Sequence, residues 1–471
     1  MTQRTTDTTV AASRPPAARV LPGFVRTLWP VLGSLTLVLV MLRFGIIPLA
    51  ALATALAASW IAYRFHRLSV AALVLVVLVP QLLHMLQVLP EGWDVIGGGV
   101  RISDLILVGM WGAITVRLVN GDDRPKEERL FIAVSLLVAA VLLVAVARNW
   151  GVYGLSALGE FRFRYLILGL PVYLALGGDS AATRAWFIRW LVWAPVAGAL
   201  LLLPVVSAEK GWALGEVSRF YPSWISLALL LAGVWVGLMN GEPQRALSRG
   251  VSYGVFAFVA VVIVKDAHRS VWLVAVACLI VLLVTRVVEV RRLWLWAAGA
   301  VTVGVIALVG LGALSSTLDY VVTRGQAFIN PTEDPTSYWR LSVWRAYLQP
   351  FLEDPLFGQG FGGYWDVYVP ELGARVITSP HSMYVQTLVK MGLLGMAALL
   401  GWFLTVFRLL VRSGFRSESV SQSRRVTLVL GLVAVVASLV YGAVYPLDFW
   451  LLAWIGLALA ELFHGGAADA E

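Results

Sequence analysis

The sequence predicts an all-α, polytopic transmembrane helix bundle, on three observations. Of the 471 residues, 59% are hydrophobic and only 13% charged, whereas soluble domains carry about 25% charged residues. Apolar runs close to the roughly 20 residues that cross a bilayer core follow one another along almost the whole chain. The connections between them are short, with a single long exception at 314–382. An aqueous core could not hide so much apolar surface, so lipid is the expected solvent for much of it.

Spans are expected near 25–42, 44–63, 68–89, 102–119, 130–147, 164–177, 184–206, 220–240, 250–265, 270–289, 293–313, 383–411, 426–443 and 447–463, about 12–14 in all. The sixth and ninth are short, which suits tilted, re-entrant or protein-shielded helices. Residues 1–24 are polar and rich in Thr, Ala, Pro and Arg, and read as a cytoplasmic tail. No small-residue cleavage site follows, so the first span is expected to be retained as an anchor. Residues 25–313 then form an N-terminal transmembrane region, 314–382 a long extracytoplasmic loop, and 383–471 a C-terminal transmembrane region.

The net charge is +9. Nucleic acid would be one explanation, but the basic residues lie between apolar runs, where topology explains them better. With the N-terminus inside, Lys and Arg concentrate on the inner side, as in Arg117, Arg124, Lys126 and Arg129, or Arg408, Arg412, Arg416, Arg424 and Arg425. Both termini are therefore expected in the cytoplasm. Cys278 is the lone cysteine and excludes an intrachain disulfide. His66, His84, His268, His381 and His464 are scattered, so no metal cluster is expected, and no serine elbow or glycosidase-like acidic pair is present.

Basic residues on the outer side are not needed for topology and are candidates for chemistry. Arg269 follows Lys265-Asp266-Ala267-His268 in a turn between two spans. A helix start favours an anion, and Arg269 beside it suits a phosphate; pairing with Asp266, or snorkelling to lipid phosphate, is the plainer reading. In the long loop, Tyr338, Leu341, Trp344, Leu348 and Phe351 recur at helical spacing, predicting an amphipathic helix at the outer interface. Arg340 and Arg345 on it suit a lipid-linked anion or simple interfacial anchoring. The stretch Asp354-Pro-Leu-Phe-Gly358-Gln-Gly360-Phe-Gly-Gly363 has neither the preceding strand nor the following helix of a dinucleotide fingerprint, and reads as a tight turn back to the membrane. His381, in Ser379-Pro380-His381-Ser382, stands at the mouth of the next span, as a general base or as a structural histidine. Lys390 is half a turn round that helix from His381 and needs a partner or an aqueous cavity. Arg162 and Arg164, with Glu160 nearby, offer a further anion site before the sixth span.

In order and on one expected side, Arg269 with its following apolar helix, Tyr-Trp-Arg340-Leu-Ser-Val-Trp344, Asp-Pro-Leu-Phe-Gly358-Gln-Gly360 and Pro-His381-Ser-Met-Tyr384 up to Met-Gly392-Leu-Leu-Gly395 resemble the O-antigen ligase and polymerase family of bacterial membrane glycosyltransferases, over roughly 260–400. The resemblance implies a type C glycosyltransferase-like fold in the bacterial inner membrane. The implied reaction is extracytoplasmic transfer or polymerisation of a glycan from a polyprenyl (undecaprenyl) diphosphate donor to an acceptor hydroxyl, in cell-surface polysaccharide assembly. It further implies Arg269 and Arg340 on the diphosphate, His381 as base, and Arg162, Arg164, Arg345 and Tyr384 as further substrate contacts, with no metal or cofactor and no nucleic acid. The partners implied are the lipid-linked donor, a glycan or lipid acceptor, and membrane lipids. Two positions depart from the family pattern: Ser382 stands where Asn is frequent, and Lys390 where an acidic residue is frequent. A transporter or flippase for a lipid-linked or anionic solute is the alternative; it would gather its ionisable residues at the midplane.

Overall fold

The computed structural model describes residues 46–85, 95–97, 100–119, 124–154, 167–177, 180–210, 221–239, 249–266, 268–286, 334–362, 366–377, 379–414 and 421–468, together with single positions between them. Two compact units are present, Met1–Leu56 and Ala57–Glu471. Of the first, the described part is the opening of α1 (Ile46–Arg64).

The helices are α1, α2 (His66–Met85), α3 (Ile102–Val119), α4 (Lys126–Arg148), α5 (Trp150–Tyr153), α6 (Gly169–Gly177), α7 (Ala181–Lys210), α8 (Ser223–Met239), α9 (Arg249–Asp266), α10 (Arg269–Thr285), α11 (Pro335–Glu353), α12 (Met383–Gly414), α13 (Gln422–Tyr441) and α14 (Phe449–Ala468). Two small antiparallel hairpins complete the described residues: β1 (Val95–Gly97) with β2 (Val100–Arg101), and β3 (Val367–Val369) with β4 (Ala374–Val376). The fold is all-α, as expected. The expected spans near 25–42 and 293–313 lie outside the described residues apart from isolated positions; each of the others holds a helix.

Length and composition make α3, α4, α7, α12 and α13 long and apolar enough to cross a membrane. The helices meeting at Phe65 bend by 115° and pass that test as a pair, and α8, α9, α10 and α14 are shorter apolar helices. Local chemistry fixes the ends. The α4 helix opens on Glu127 and Glu128 and closes on Arg148, charges that complement the helix dipole at both ends. Its neighbours approach closely where side chains are small. A Cβ at Gly431 of α13 would lie 2.1 Å from the Ala458 Cβ of α14, and one at Gly456 would lie 2.7 Å from the Pro171 Cα of α6. Small residues that let backbones approach are the usual adhesive between helices in lipid, where no hydrophobic force is left to drive association. Trp402, Trp450, Trp454 and Tyr173 fill the interior so formed.

The helices α8 and α13 run antiparallel. The Ser223 hydroxyl lies 2.8 Å from the Tyr441 hydroxyl at one end, and the Gln422 amide donates to the Leu238 carbonyl at the other, 3.3 Å. The first end also carries the starts of α10, α12 and α14. The loop helix α11 packs there, on the beginning of α12 and on the β3–β4 hairpin. Its buried face is Ser342, Val343, Ala346 and Tyr347, while Tyr338 and Leu341 are exposed. The apolar face expected from spacing is therefore rotated: Trp344 and Phe351 do pack against this small core, but docking onto α12 and the hairpin, not a flat water–lipid boundary, decides which side is covered.

Candidate functional site

Helix α11 begins with a strong start signal. Asp334 is the N-cap, its carboxylate accepting the Ser337 backbone N–H at 2.8 Å, and Pro335 follows it. Asp and Pro suit these two positions because the cap oxygen satisfies an orphan donor and Pro lacks one to lose. The helix so placed presents successive residues to three other elements.

Arg269, the first residue of α10, donates to the Asp334 carboxylate at 2.9 Å and to the Ser337 hydroxyl at 3.4 Å. This ion pair is largely covered. Burial pushes the Asp334 carboxyl up, but the Arg269 and Ser337 hydrogen bonds outweigh it and hold it down at about 2. Arg269 thus has a partner in Asp334, 65 positions along the chain; the pairing with Asp266 in the plainer sequence reading falls, like Lys265, on side chains outside the described residues. His268, just before, is buried with Nε2 2.9 Å from the Tyr221 carbonyl, which ties the turn to the start of α8.

One turn along α11, the Arg340 guanidinium lies over the Tyr445 ring, 5.6 Å from its centre. Tyr445 in turn stacks on Tyr441 at 4.6 Å and 19°. The Tyr441 hydroxyl lies within electrostatic reach of both Arg340 and Asp448. The Asp448 carboxylate caps α14 by accepting the Trp450 and Leu451 N–H groups at 2.8 and 3.2 Å.

The third element is the start of α12. Trp339 lies 6.2 Å from the His381 ring, and the Trp344 indole N–H donates to the Pro380 carbonyl at 2.6 Å. The Met383 N–H donates to the carbonyls of Gly442 and Tyr445, at 2.8 and 3.1 Å, binding this start to the turn after α13. His381 is exposed and holds a left-handed backbone, φ 51°. Few non-glycine residues adopt that region, though histidine is enriched among those that do, and such conformations cluster where function over-determines them. Ser382 sits at the cap position of α12 and accepts the Val385 N–H at 3.4 Å. Asn and Ser cap helices about equally well, so the departure at this position is physically conservative.

The glycine cluster does more than turn the chain. Helix α12 is broken at Gly392, φ 64° and ψ −163°, and the 354–362 loop docks into the break. Gln359 and Gly360 N–H groups donate to the Val389 and Lys390 carbonyls at 2.7 and 3.0 Å, while Leu393 and Leu394 N–H groups donate back to Pro355 and Leu356 at 2.8 and 3.2 Å. A Cβ at Gly392 would lie 2.3 Å from the Leu356 carbonyl oxygen, so only glycine fits. Arg148, at the end of α4, donates to the Gly358 carbonyl at 2.6 Å and pairs with Asp354, lowering that carboxyl's pKa. Lys390 is buried beside this loop.

The loop helix thus brings Arg269, Arg340 and His381 to its first turns. Arg345 is elsewhere, exposed and paired with Glu371 at 2.9 Å; Tyr384 uses its hydroxyl on the Leu439 carbonyl at 2.6 Å, a packing contact. Arg162 and Arg164 lie outside the described residues. Sequence reasoning missed Asp334, Tyr441, Tyr445 and Asp448. The Asp334-Pro335 pair is a legible helix-start signal; nothing in the pattern singles out the 441–448 turn. Among the described residues no cluster with metal-ligand character is present.

No curated protein matches the chain. A family model described as O-antigen ligase matches residues 254–400. That interval runs from α9 into α12 and takes in Arg269, all of α11, the glycine loop and His381; Arg148, Tyr221 and the 441–448 turn lie outside it. Residues 254–400 thus carry an O-antigen ligase domain, which supports membrane glycan transfer in general, and the apolar helices are those of an integral membrane protein.

Proposed function

We propose that the chain transfers or polymerises glycans from a polyprenyl diphosphate donor to an acceptor hydroxyl on the extracytoplasmic face of a bacterial inner membrane, without a metal, with both termini cytoplasmic. The observation that carries this reading is the convergence on α11: two guanidinium groups and an imidazole, from three distant chain segments, meet the same two helical turns. Arg269 and Arg340 hold the donor's diphosphate, for which the guanidinium fork is well suited. His381 takes the proton of the acceptor hydroxyl as its oxygen bonds to the sugar's anomeric carbon. The bond from that carbon to the diphosphate breaks, and the electron pair leaves with the phosphate oxygen, where fixed arginines stabilise the growing charge. The 441–448 turn packs the aromatic support under Arg340. Collection of these groups at helix starts suits transfer at a membrane surface better than transport through the midplane.

The test is transfer of a lipid-linked glycan by purified protein in membranes. Arg269→Ala, Arg340→Ala and His381→Ala should each fold and lose transfer; near-normal transfer by all three would refute the proposal.

A further inference from the structure

The Arg269–Asp334 pair poses a problem for a diphosphate site, because the arginine assigned to the donor already holds an anion. The geometry is that of a stand-in. Asp334 offers Arg269 a carboxylate oxygen at 2.9 Å, and the same oxygen accepts the Ser337 N–H at 2.8 Å. An anion is thus held between a guanidinium and the N-terminus of a helix, an arrangement that favours phosphate. Ser337 adds a hydroxyl 3.4 Å from the guanidinium. The pair is not a local consequence of sequence, since 65 positions separate its members.

Resting on the reading of Arg269 as a diphosphate ligand, we propose that Asp334 is a built-in competitor for the donor. It holds Arg269 in the donor-free protein and yields it when a diphosphate arrives. A diphosphate brings more charge and more acceptor oxygens than one carboxylate, so the exchange runs forward with donor and reverses when the lipid leaves. Asp334 does not lose its other task, because the Ser337 N–H remains for it to cap. A ligand that must displace an internal group binds with an affinity reduced by the fraction of sites already open, so Asp334 sets donor affinity without touching the reacting atoms. An ordinary structural clip predicts the opposite sign: loosening it would disorder Arg269 and weaken donor handling.

The experiment uses the full chain in lipid nanodiscs, measuring donor KM and kcat and inhibition by inorganic pyrophosphate. Asp334→Asn keeps a good helix cap but removes the charge. The expected result is a donor KM and a pyrophosphate inhibition constant both lowered at least about fivefold, with kcat little changed. Unchanged or raised values of both overturn the inference. If D334N fails to fold, D334S, which keeps a cap oxygen on a shorter side chain, is read by the same criteria. Arg269→Gln separates the two levels of argument. Weakened pyrophosphate inhibition in R269Q without tightening in D334N defeats the competitor alone; unaltered inhibition in R269Q defeats the donor assignment of Arg269 and the competitor with it.

Discussion

The two ends of the helix bundle use the same ion-pair chemistry to opposite purposes. Away from the candidate site, Arg184 of α7 pairs with Glu461 of α14 at 2.9 Å, with only 3% and 13% of the side chains exposed. Nearby, Arg67 donates to the Thr183 hydroxyl at 2.9 and 3.0 Å, and His464 lies 2.9 Å from the Ala175 carbonyl. These contacts join helix to helix. At the site end, the corresponding arginines link the loop helix to its neighbours: Arg269 reaches its cap, and Arg340, on that helix, reaches the Tyr445–Tyr441 stack. A pair between two packed helices can be exchanged for nothing, whereas a pair between a helix and a loop cap can be traded for a ligand. The difference separates cations that hold the fold from cations held ready by it.

The comparison can be broken most forcefully at the closed end. Glu461→Gln strands a buried arginine charge and should cost about 3–5 kcal/mol, read as a lowered unfolding temperature in detergent. The Arg184→Met, Glu461→Met double variant should recover most of it; a tolerated single variant would show the pair idle. Gly392→Ala forces a Cβ against the Leu356 carbonyl in a conformation nearly reserved for glycine, with an expected loss of about 1–3 kcal/mol from backbone strain and of folded yield, although it touches no proposed reacting group. At the site the pattern should invert. His381→Asn, which accepts a left-handed backbone, should leave stability within about 1 kcal/mol yet lower transfer about 10²–10⁴-fold, by thermal unfolding and single-turnover assay. The Arg269–Asp334 pair sharpens the contrast with pH. The carboxyl titrates lower in the folded protein than unfolded, so the pair's stabilisation is complete above about pH 4 and fades as pH falls toward about 2; an unfolding temperature followed from pH 6 to 2 should show that loss in the wild type and less of it in D334N. The smallest effect belongs to Arg345→Ala: its pair with Glu371 is exposed, and pairs of that kind contribute little, so neither stability nor transfer should move measurably.

Much of this was legible in the sequence because it depends on local pattern. The run from Ile102 to Val119 is both the expected span and the observed helix, since a predominantly apolar segment of that length in lipid has few alternatives to a helix. Arg269 and Arg340 stood out as charges that topology did not require, and His381 as an imidazole at the mouth of a span. What could not be read depends on which segments meet. Spacing gave α11 an apolar face, but docking onto α12 turned that face by part of a turn. Asp334 went unread although Asp-Pro is a helix-start signal, and no local pattern names it as the partner of an arginine 65 positions away; Tyr445 became part of the site only through the packing of the 441–448 turn against α11. The break at Gly392 likewise makes sense only beside the loop that fills it.

The most direct measurement is a cryo-electron microscopy map of the full chain with polyprenyl diphosphate bound. Phosphate density is expected within hydrogen-bond distance of both the Arg269 and Arg340 guanidinium groups, beside the first turns of α11, with the His381 ring facing the site of the sugar carbon. Diphosphate density elsewhere in the molecule, with Arg269 and Arg340 both away from it, would contradict the account.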